Sequence, residues 1–304
     1  MYELINGHVL YKDKKDFTLS ETLECGQMFR FEKQNDGAYQ LIAKKRLLTL
    51  KEETEGIWFY NTNLKDFEEI WIPYFDLKVN YSEIKKILSQ KDDIMQSATT
   101  FGSGIRIVNQ EVWECMLSFI LSQNNNIPRI KQLIKTISKK YGTQIGDDAY
   151  AFPTVEQLKN VSVDEFYACK MGFRAKYIKD AVERVYTGDI VLEEYDKMTT
   201  EEASKSLMRI FGVGPKVSDC ILLYSLNRRE VFPTDVWVKR VMQAYYFDNA
   251  SIKEIQELAK EQFGEYAGYA QQYLFHYART HLSFWNFAEN GDWKSIRKIT
   301  TDNT

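Results

Sequence analysis

The sequence predicts an α+β protein: a small antiparallel sheet domain over residues 1–105, then a larger helical domain over residues 106–304. Two textures and one break predict it. From Phe17 to about Asn61 the chain shows short β-like runs, Met28-Phe29-Arg30-Phe31, Tyr39-Gln40-Leu41-Ile42 and Ile57-Trp58-Phe59-Tyr60. Turn-prone stretches such as Gln34-Asn35-Asp36-Gly37 part them, which suits hairpins. Beyond about Gln110 the pattern is helical almost throughout, and Phe101-Gly102-Ser103-Gly104 interrupts the chain between the two.

The helical elements follow in order. Residues 112–121 make an apolar helix. Pro128 suits the first turn of the next, which carries Ile130, Leu133, Ile134 and Ile137 on one face until Gly142. Further helices are expected at 163–171, 175–186, 200–211, 216–226, 236–246, 252–263 and 267–279. The linkers are short, and the sequence carries no internal repeat or low-complexity tract.

Composition narrows the function classes. A chain of 304 residues with 44% hydrophobic and 14% aromatic content supports packed cores in two or three subdomains. The apolar run 116–121 is too short to span a bilayer, and the start lacks a signal-peptide pattern. The four cysteines, Cys25, Cys115, Cys169 and Cys220, form no CxxC pair and read as reduced cytosolic thiols. Three histidines (His8, His276 and His281) make no ligand cluster, so neither a metal nor a cofactor is expected. With 40 basic and 43 acidic residues the net charge is −3, so the chain does not grip nucleic acid over its whole surface. The local basic run Arg129, Lys131, Lys135, Lys139 and Lys140 reads first as a solvated helix face and second as a phosphate site.

The informative stretch is Leu207-Met208-Arg209-Ile210-Phe211-Gly212-Val213-Gly214-Pro215-Lys216-Val217-Ser218-Asp219-Cys220-Ile221. Leu207 and Ile210 pack on one side of a first helix, and Val217 and Ile221 on one side of a second. Gly-Val-Gly between them makes a turn with positive backbone dihedrals, anchored by Val213. Bare glycines let a phosphate reach the N–H groups at the start of the second helix, where the dipole favours it. The alternative is a plain helix connector. Lys216 lies in the first turn, where a cation opposes the dipole; the same field favours a neutral amine able to attack carbon. Alone, it reads first as a surface lysine. Then comes Val231-Phe232-Pro233-Thr234-Asp235-Val236-Trp237, with Asp235 opening a helix. Asp235 is an N-cap, a carboxylate able to take a proton from the lysine and stabilise a cationic sugar, or both.

In this combination the chain resembles the helix-hairpin-helix glycosylase superfamily with its Gly/Pro-rich loop and Asp. Specifically it resembles the 8-oxoguanine DNA glycosylase/lyase family, in a bacterial or archaeal form. The resemblance covers essentially the whole chain and implies a TBP-like sheet domain before the helical one. It assigns Lys216 as nucleophile and Asp235 as the essential carboxylate, and gives the phosphate contacts to Gly212, Gly214 and Val217. Three more motifs fall in family order. Cys25-Gly26-Gln27-Met28-Phe29-Arg30-Phe31 looks like the Gly-Gln-x-Phe-Arg segment, which implies that the Gly26 carbonyl accepts from N7–H of the damaged base. Guanine has an acceptor there instead, so attraction becomes repulsion. Without the resemblance Gly26 is an ordinary strand kink.

The second motif runs Ser118-Phe119-Ile120-Leu121-Ser122-Gln123-Asn124-Asn125-Asn126-Ile127-Pro128-Arg129, otherwise a capped turn. The resemblance gives Asn124, Arg129 and Arg174 to the cytosine left unpaired by flipping, and makes Phe173 an apolar wedge where the family often has tyrosine. The third is Ala270-Gln271-Gln272-Tyr273-Leu274-Phe275-His276-Tyr277-Ala278-Arg279. It implies Gln271 on the base edge, with Phe275 and Cys220 against its two faces and Pro233 beside it. One departure is Trp237, where animal members carry a phosphate-binding histidine; an indole N–H leaves one donor there.

The resemblance therefore implies a cytoplasmic monomer acting on double-stranded DNA that contains 8-oxoguanine, preferably opposite cytosine. Base extrusion, attack on C1′ by Lys216, a Schiff base and β-elimination follow from it. The alternatives are a monofunctional alkylbase glycosylase, which needs the Asp and no lysine, and a non-catalytic hairpin module. The endonuclease III group lacks support because its cysteine cluster is missing.

Overall fold

In a computed structural model that describes residues 1–281, the predicted order holds: an antiparallel sheet domain precedes a helical one. Residues 282–304 of the expected helical domain lie outside the described residues. The sheet comprises β1 (Tyr2–Ile5), β2 (His8–Tyr11), β3 (Phe31–Lys33), β4 (Tyr39–Ala43), β5 (Arg46–Glu53) and β6 (Gly56–Tyr60). Its spatial order is β1-β2-β6-β5-β4-β3. It starts earlier than Phe17, because Asn6 (φ 50°) and Gly7 (φ 80°) close a two-residue hairpin pairing Ile5 with His8. Met28-Phe29-Arg30 lies outside any strand, and pairing begins at Phe31 opposite Leu41. Gly26 sits in a turn after the short helix α1 (Leu19–Glu24), so the strand-kink reading does not hold.

Helix also begins far before Gln110. Residues 64–74 run through α2 (Leu64–Asp66), a wider π-type turn at Phe67–Trp71, and α3 (Ile72–Tyr74). Then come α4 (Tyr81–Ser89) and α5 (Asp93–Phe101), each opened by a side-chain cap, Asn80 on the Glu83 N–H and Asp92 on the Met95 N–H. The larger array continues with α6 (Val112–Ser122), α7 (Ile127–Tyr141), α8 (Val155–Leu158), α9 (Val163–Ala168), α10 (Arg174–Tyr186) and α11 (Thr200–Leu207). It ends with α12 (Pro215–Ser225), α13 (Val236–Tyr245), α14 (Ile252–Phe263) and α15 (Ala267–His281). A small hairpin, β7 (Gln144–Gly146) with β8 (Ala149–Tyr150), interrupts the helices. Two expected helices are shorter than their patterns: α9 stops where Lys170 (φ 62°) and Gly172 (φ 59°) turn the chain, and α11 stops before the 208–214 turn.

Two hydrophobic cores result. One joins the sheet's inner face to Phe17, Phe67, Trp71 and Phe75. The other is formed by the helices from α4 onward, and it also takes in Cys25 and Phe29. The two are riveted by Gln27, which is fully buried. Its amide donates to the carbonyls of Thr22 (2.8 Å) and Arg106 (2.7 Å), and its Oε1 accepts from the Val108 N–H (2.9 Å). That network fixes the turn bearing Gly26 against the helical domain. Among the described residues no helix is long and apolar enough to cross a membrane.

Candidate active site

The hairpin forms as its residue types dictate. Val213 and Val217 are buried, Pro215 occupies the first turn of α12, and Gly214 caps it. Only Gly212 takes positive φ (84°); there a side chain would also strike the Tyr177 ring. Gly214 is extended (φ −100°), so the expectation of positive dihedrals holds for one glycine of the two. Nothing lies within 4 Å of where a Gly214 Cβ would stand, which keeps the backbone N–H groups approachable.

Lys216 Nζ lies 5.6 Å from the centroid of the Phe119 ring on α6. One turn along, Cys220 is buried, which pushes its thiol up to about 11 against the pull of the Lys216 charge. Asp235 caps α13, its Oδ1 accepting from the Val238 N–H at 2.8 Å. Burial raises its carboxyl above the ordinary value, opposed by that N–H and by Lys216. The cap and the electrostatic partner are therefore the same carboxylate. Among the described residues no direct ion pair joins it to Lys216, whose charge acts on it through space.

The opposite wall is assembled from distant chain segments. Phe119 stacks on Tyr224 (centroids 5.4 Å, 13°). The Tyr224 hydroxyl donates to Gln272 Oε1 at 2.6 Å and lies 3.4 Å from Gln271 Oε1. Gln272 Nε2 donates to the Cys25 carbonyl at 3.3 Å, which brings α15 to the Gly26 turn. Gly26 has φ 92°, and a Cβ there would lie 3.0 Å from Phe275 Cε1. Gln271 is buried beside Gln272, Phe275 is half-buried, and Pro233 is buried ahead of Asp235.

The remaining candidates line the outer face. Asn124 (φ 46°) and Arg129 are exposed, and Phe173 is 45% exposed at the head of α10. Arg174 is buried instead, donating to the carbonyls of Gln123 and Asn124, both at 2.8 Å, so it braces the asparagine loop. Trp237 is half-buried beneath the Arg240 guanidinium (5.2 Å). The basic run on α7 is an ion-paired face: Lys135 meets Glu32, Lys139 meets Asp148, and Lys131 donates to the Phe31 carbonyl. A cavity of about 810 Å³ between that face and β3–β4 holds none of the candidate residues. Sequence reasoning missed Gln27, Tyr224, Gln272 and Arg279, whose contacts are long-range and leave no periodic mark.

Comparison with known proteins agrees with both domains. Residues 9–116 match the model of the 8-oxoguanine DNA glycosylase N-terminal domain, and residues 117–265 match that of the HhH-GPD superfamily base excision DNA repair proteins. The chain is 30% identical over 281 residues to the N-glycosylase/DNA lyase OGG1 of Arabidopsis thaliana, covering 86% of this chain and 77% of that protein. The Clostridium acetobutylicum 8-oxoguanine glycosylase/lyase, solved with double-stranded DNA containing cytosine opposite 8-oxoguanine, superposes with TM-score 0.89. It is 41% identical, and the match covers 92% of this chain and 98% of that one. MBOgg1 in complex with a low affinity DNA ligand gives the same score at 42% identity, covering 92% of this chain and 98% of that one. On the joint strength of these matches and the hairpin, lysine and aspartate described above, the chain belongs to the 8-oxoguanine DNA glycosylase/lyase family.

Proposed function

We propose that the protein excises 8-oxoguanine from double-stranded DNA and cleaves the strand at the resulting site, as an intracellular monomer that needs no cofactor. The observation that carries this reading is that the Lys216 charge acts on both the Asp235 carboxyl at the head of α13 and the buried Cys220 thiol one turn along α12. Asp235 accepts a proton from the Lys216 ammonium, and the amine then attacks C1′. The glycosidic bond breaks with its electron pair going to the base, which takes up the proton that Asp235 had accepted, and the later ring opening moves a proton from the amine nitrogen to O4′. Opening of the C1′–O4′ bond gives the Schiff base. Loss of a C2′ proton then expels the 3′ phosphate, completing β-elimination. Burial keeps the Asp235 carboxylate poorly solvated, which strengthens its interaction with positive charge at the sugar.

In the same reading, Gly26 reads N7–H, while Gln271, Phe275, Cys220 and Pro233 surround the extruded base. Gly212, Gly214, Val217 and Trp237 face phosphates. Asn124, Arg129 and Phe173 occupy the gap in the duplex, and Arg174 acts there by holding Asn124 in its left-handed conformation. Cytosine opposite the lesion is the preferred context. Borohydride reduction during reaction with an 8-oxoguanine duplex tests the chemistry. It is expected to give a covalent protein–DNA adduct that disappears in Lys216→Gln, and an undiminished adduct in that variant would rule out this nucleophile.

A further inference from the structure

We propose that Arg279 is a positioning residue for base recognition. Its guanidinium holds the turn at residues 24–26 so that Gly26 faces the extruded base, and it takes no part in the sugar chemistry. The inference rests on the reading above that Gly26 recognises the base. Arg279 lies one turn beyond Phe275 on α15, and its Nη2 donates to the Glu24 carbonyl at 2.5 Å. Its guanidinium carbon stands 5.7 Å from the Phe275 ring centroid. A Cβ on Gly26 would meet Phe275 at 3.0 Å and Arg279 Nη1 at 3.1 Å, so the three residues are mutual neighbours.

The rest of the turn is tied down from inside the protein: Gln272 holds the Cys25 carbonyl, and Gln27 is locked to the 106–108 segment. Arg279 supplies the outer tie, on the residue that precedes Cys25 and Gly26. Its Nη1 is buried with no hydrogen-bond partner among the described residues. Arg279 also borders a cavity of about 580 Å³ that separates Glu24 from the start of α7 at Ile127 and Pro128. Leaving a charged donor desolvated costs stability, and a methionine could pack against Phe275 without that penalty. The guanidinium is therefore placed for what its other arm does, which is to fix a carbonyl beside the recognition glycine.

The test compares two reactions in the same full-length preparations of the parent chain, Arg279→Met and Arg279→Lys. One is single-turnover release of 8-oxoguanine opposite cytosine. The other is strand cleavage at a preformed abasic site, which offers no base and needs only Lys216 and Asp235. The methionine variant is expected to release the base at least about tenfold more slowly, with lysine intermediate and abasic-site cleavage within about twofold of the parent. Equal losses in both reactions would assign Arg279 a general structural role and overturn the proposal, as would unchanged base release. If the parent cleaves abasic sites yet releases no 8-oxoguanine, the base-recognition reading itself fails and takes this inference with it.

Discussion

The two walls of the site are built by opposite strategies. In the proposed reading the sugar wall comes from adjacent elements: the 212–214 turn, Lys216 on α12, and Asp235 at the head of α13. The base wall joins chain ends, since Gln272 reaches back to Cys25, Arg279 to Glu24, and Phe275 packs at Gly26. Local elements keep their geometry when domains shift slightly, whereas a wall made of long-range contacts depends on every intervening packing interaction. The proposed reading thus places chemistry where the fold is least demanding, and discrimination where domain packing is most exacting. Changes at the sugar wall should stop both reactions without disturbing the fold. Changes at the base wall should separate base release from abasic-site cleavage.

Asp235→Asn gives the largest expected effect. Asparagine also caps helices, so the bond to the Val238 N–H survives while the charge is lost. Base release is expected to fall by about 10²- to 10⁴-fold. Because burial raises the Asp235 carboxyl in the folded state, the neutral isostere should be as stable as the parent at pH 7, or more so. A variant that loses activity only in proportion to a drop in thermal midpoint would reduce Asp235 to a cap.

Gln27→Leu attacks the other wall. It leaves the carbonyl of Arg106 and the N–H of Val108 without their partner in a dry setting. The expected loss is about 2–4 kcal/mol of unfolding free energy by denaturant titration. Base release measured below the transition should suffer more than abasic-site cleavage. Parallel losses would mean that the two walls are not separable.

The same division decides what was legible in the sequence. The hairpin could be read directly, because Gly212 needs its φ of 84° and Asp235 caps in the usual way. Both are short-range demands on residue type. Gly26, Gln271 and Phe275 entered only through family likeness, since nothing local marks a turn and a helix that meet across the whole chain. Other misses had signals that were present but unread. Asn6-Gly7 is a strong hairpin signature, and Asn80 and Asp92 cap helices whose apolar spacing (Tyr81, Ile84, Leu88) lay in a region assigned to sheet. Arg174 shows the converse limit: its residue type points to a cytosine contact, while nothing local announces that it is buried and donates to the carbonyls of Gln123 and Asn124. A side chain's direction is set by packing that sequence spacing does not encode.

The smallest expected effect concerns a carboxylate on α12 that the proposed chemistry leaves unused. Asp219 lies between Ser218 and Cys220 on α12, and among the described residues its Oδ2 meets a long contact from Gln256 Nε2 at 3.5 Å. Burial alone raises its carboxyl to about 7. The folded protein therefore holds this proton more tightly than the unfolded chain does. That contribution is complete below the unfolded value near 4 and is lost as pH rises through about 7. Asp219→Asn should accordingly match the parent in stability near pH 4 and exceed it at pH 8, by about 1–4 kcal/mol. Because the proposed chemistry gives Asp219 no step, abasic-site cleavage should keep its rate and pH profile. A variant less stable than the parent at pH 8 would overturn the account of Asp219 as a desolvated acid, and a displaced pH profile would extend the sugar wall along α12 beyond Lys216.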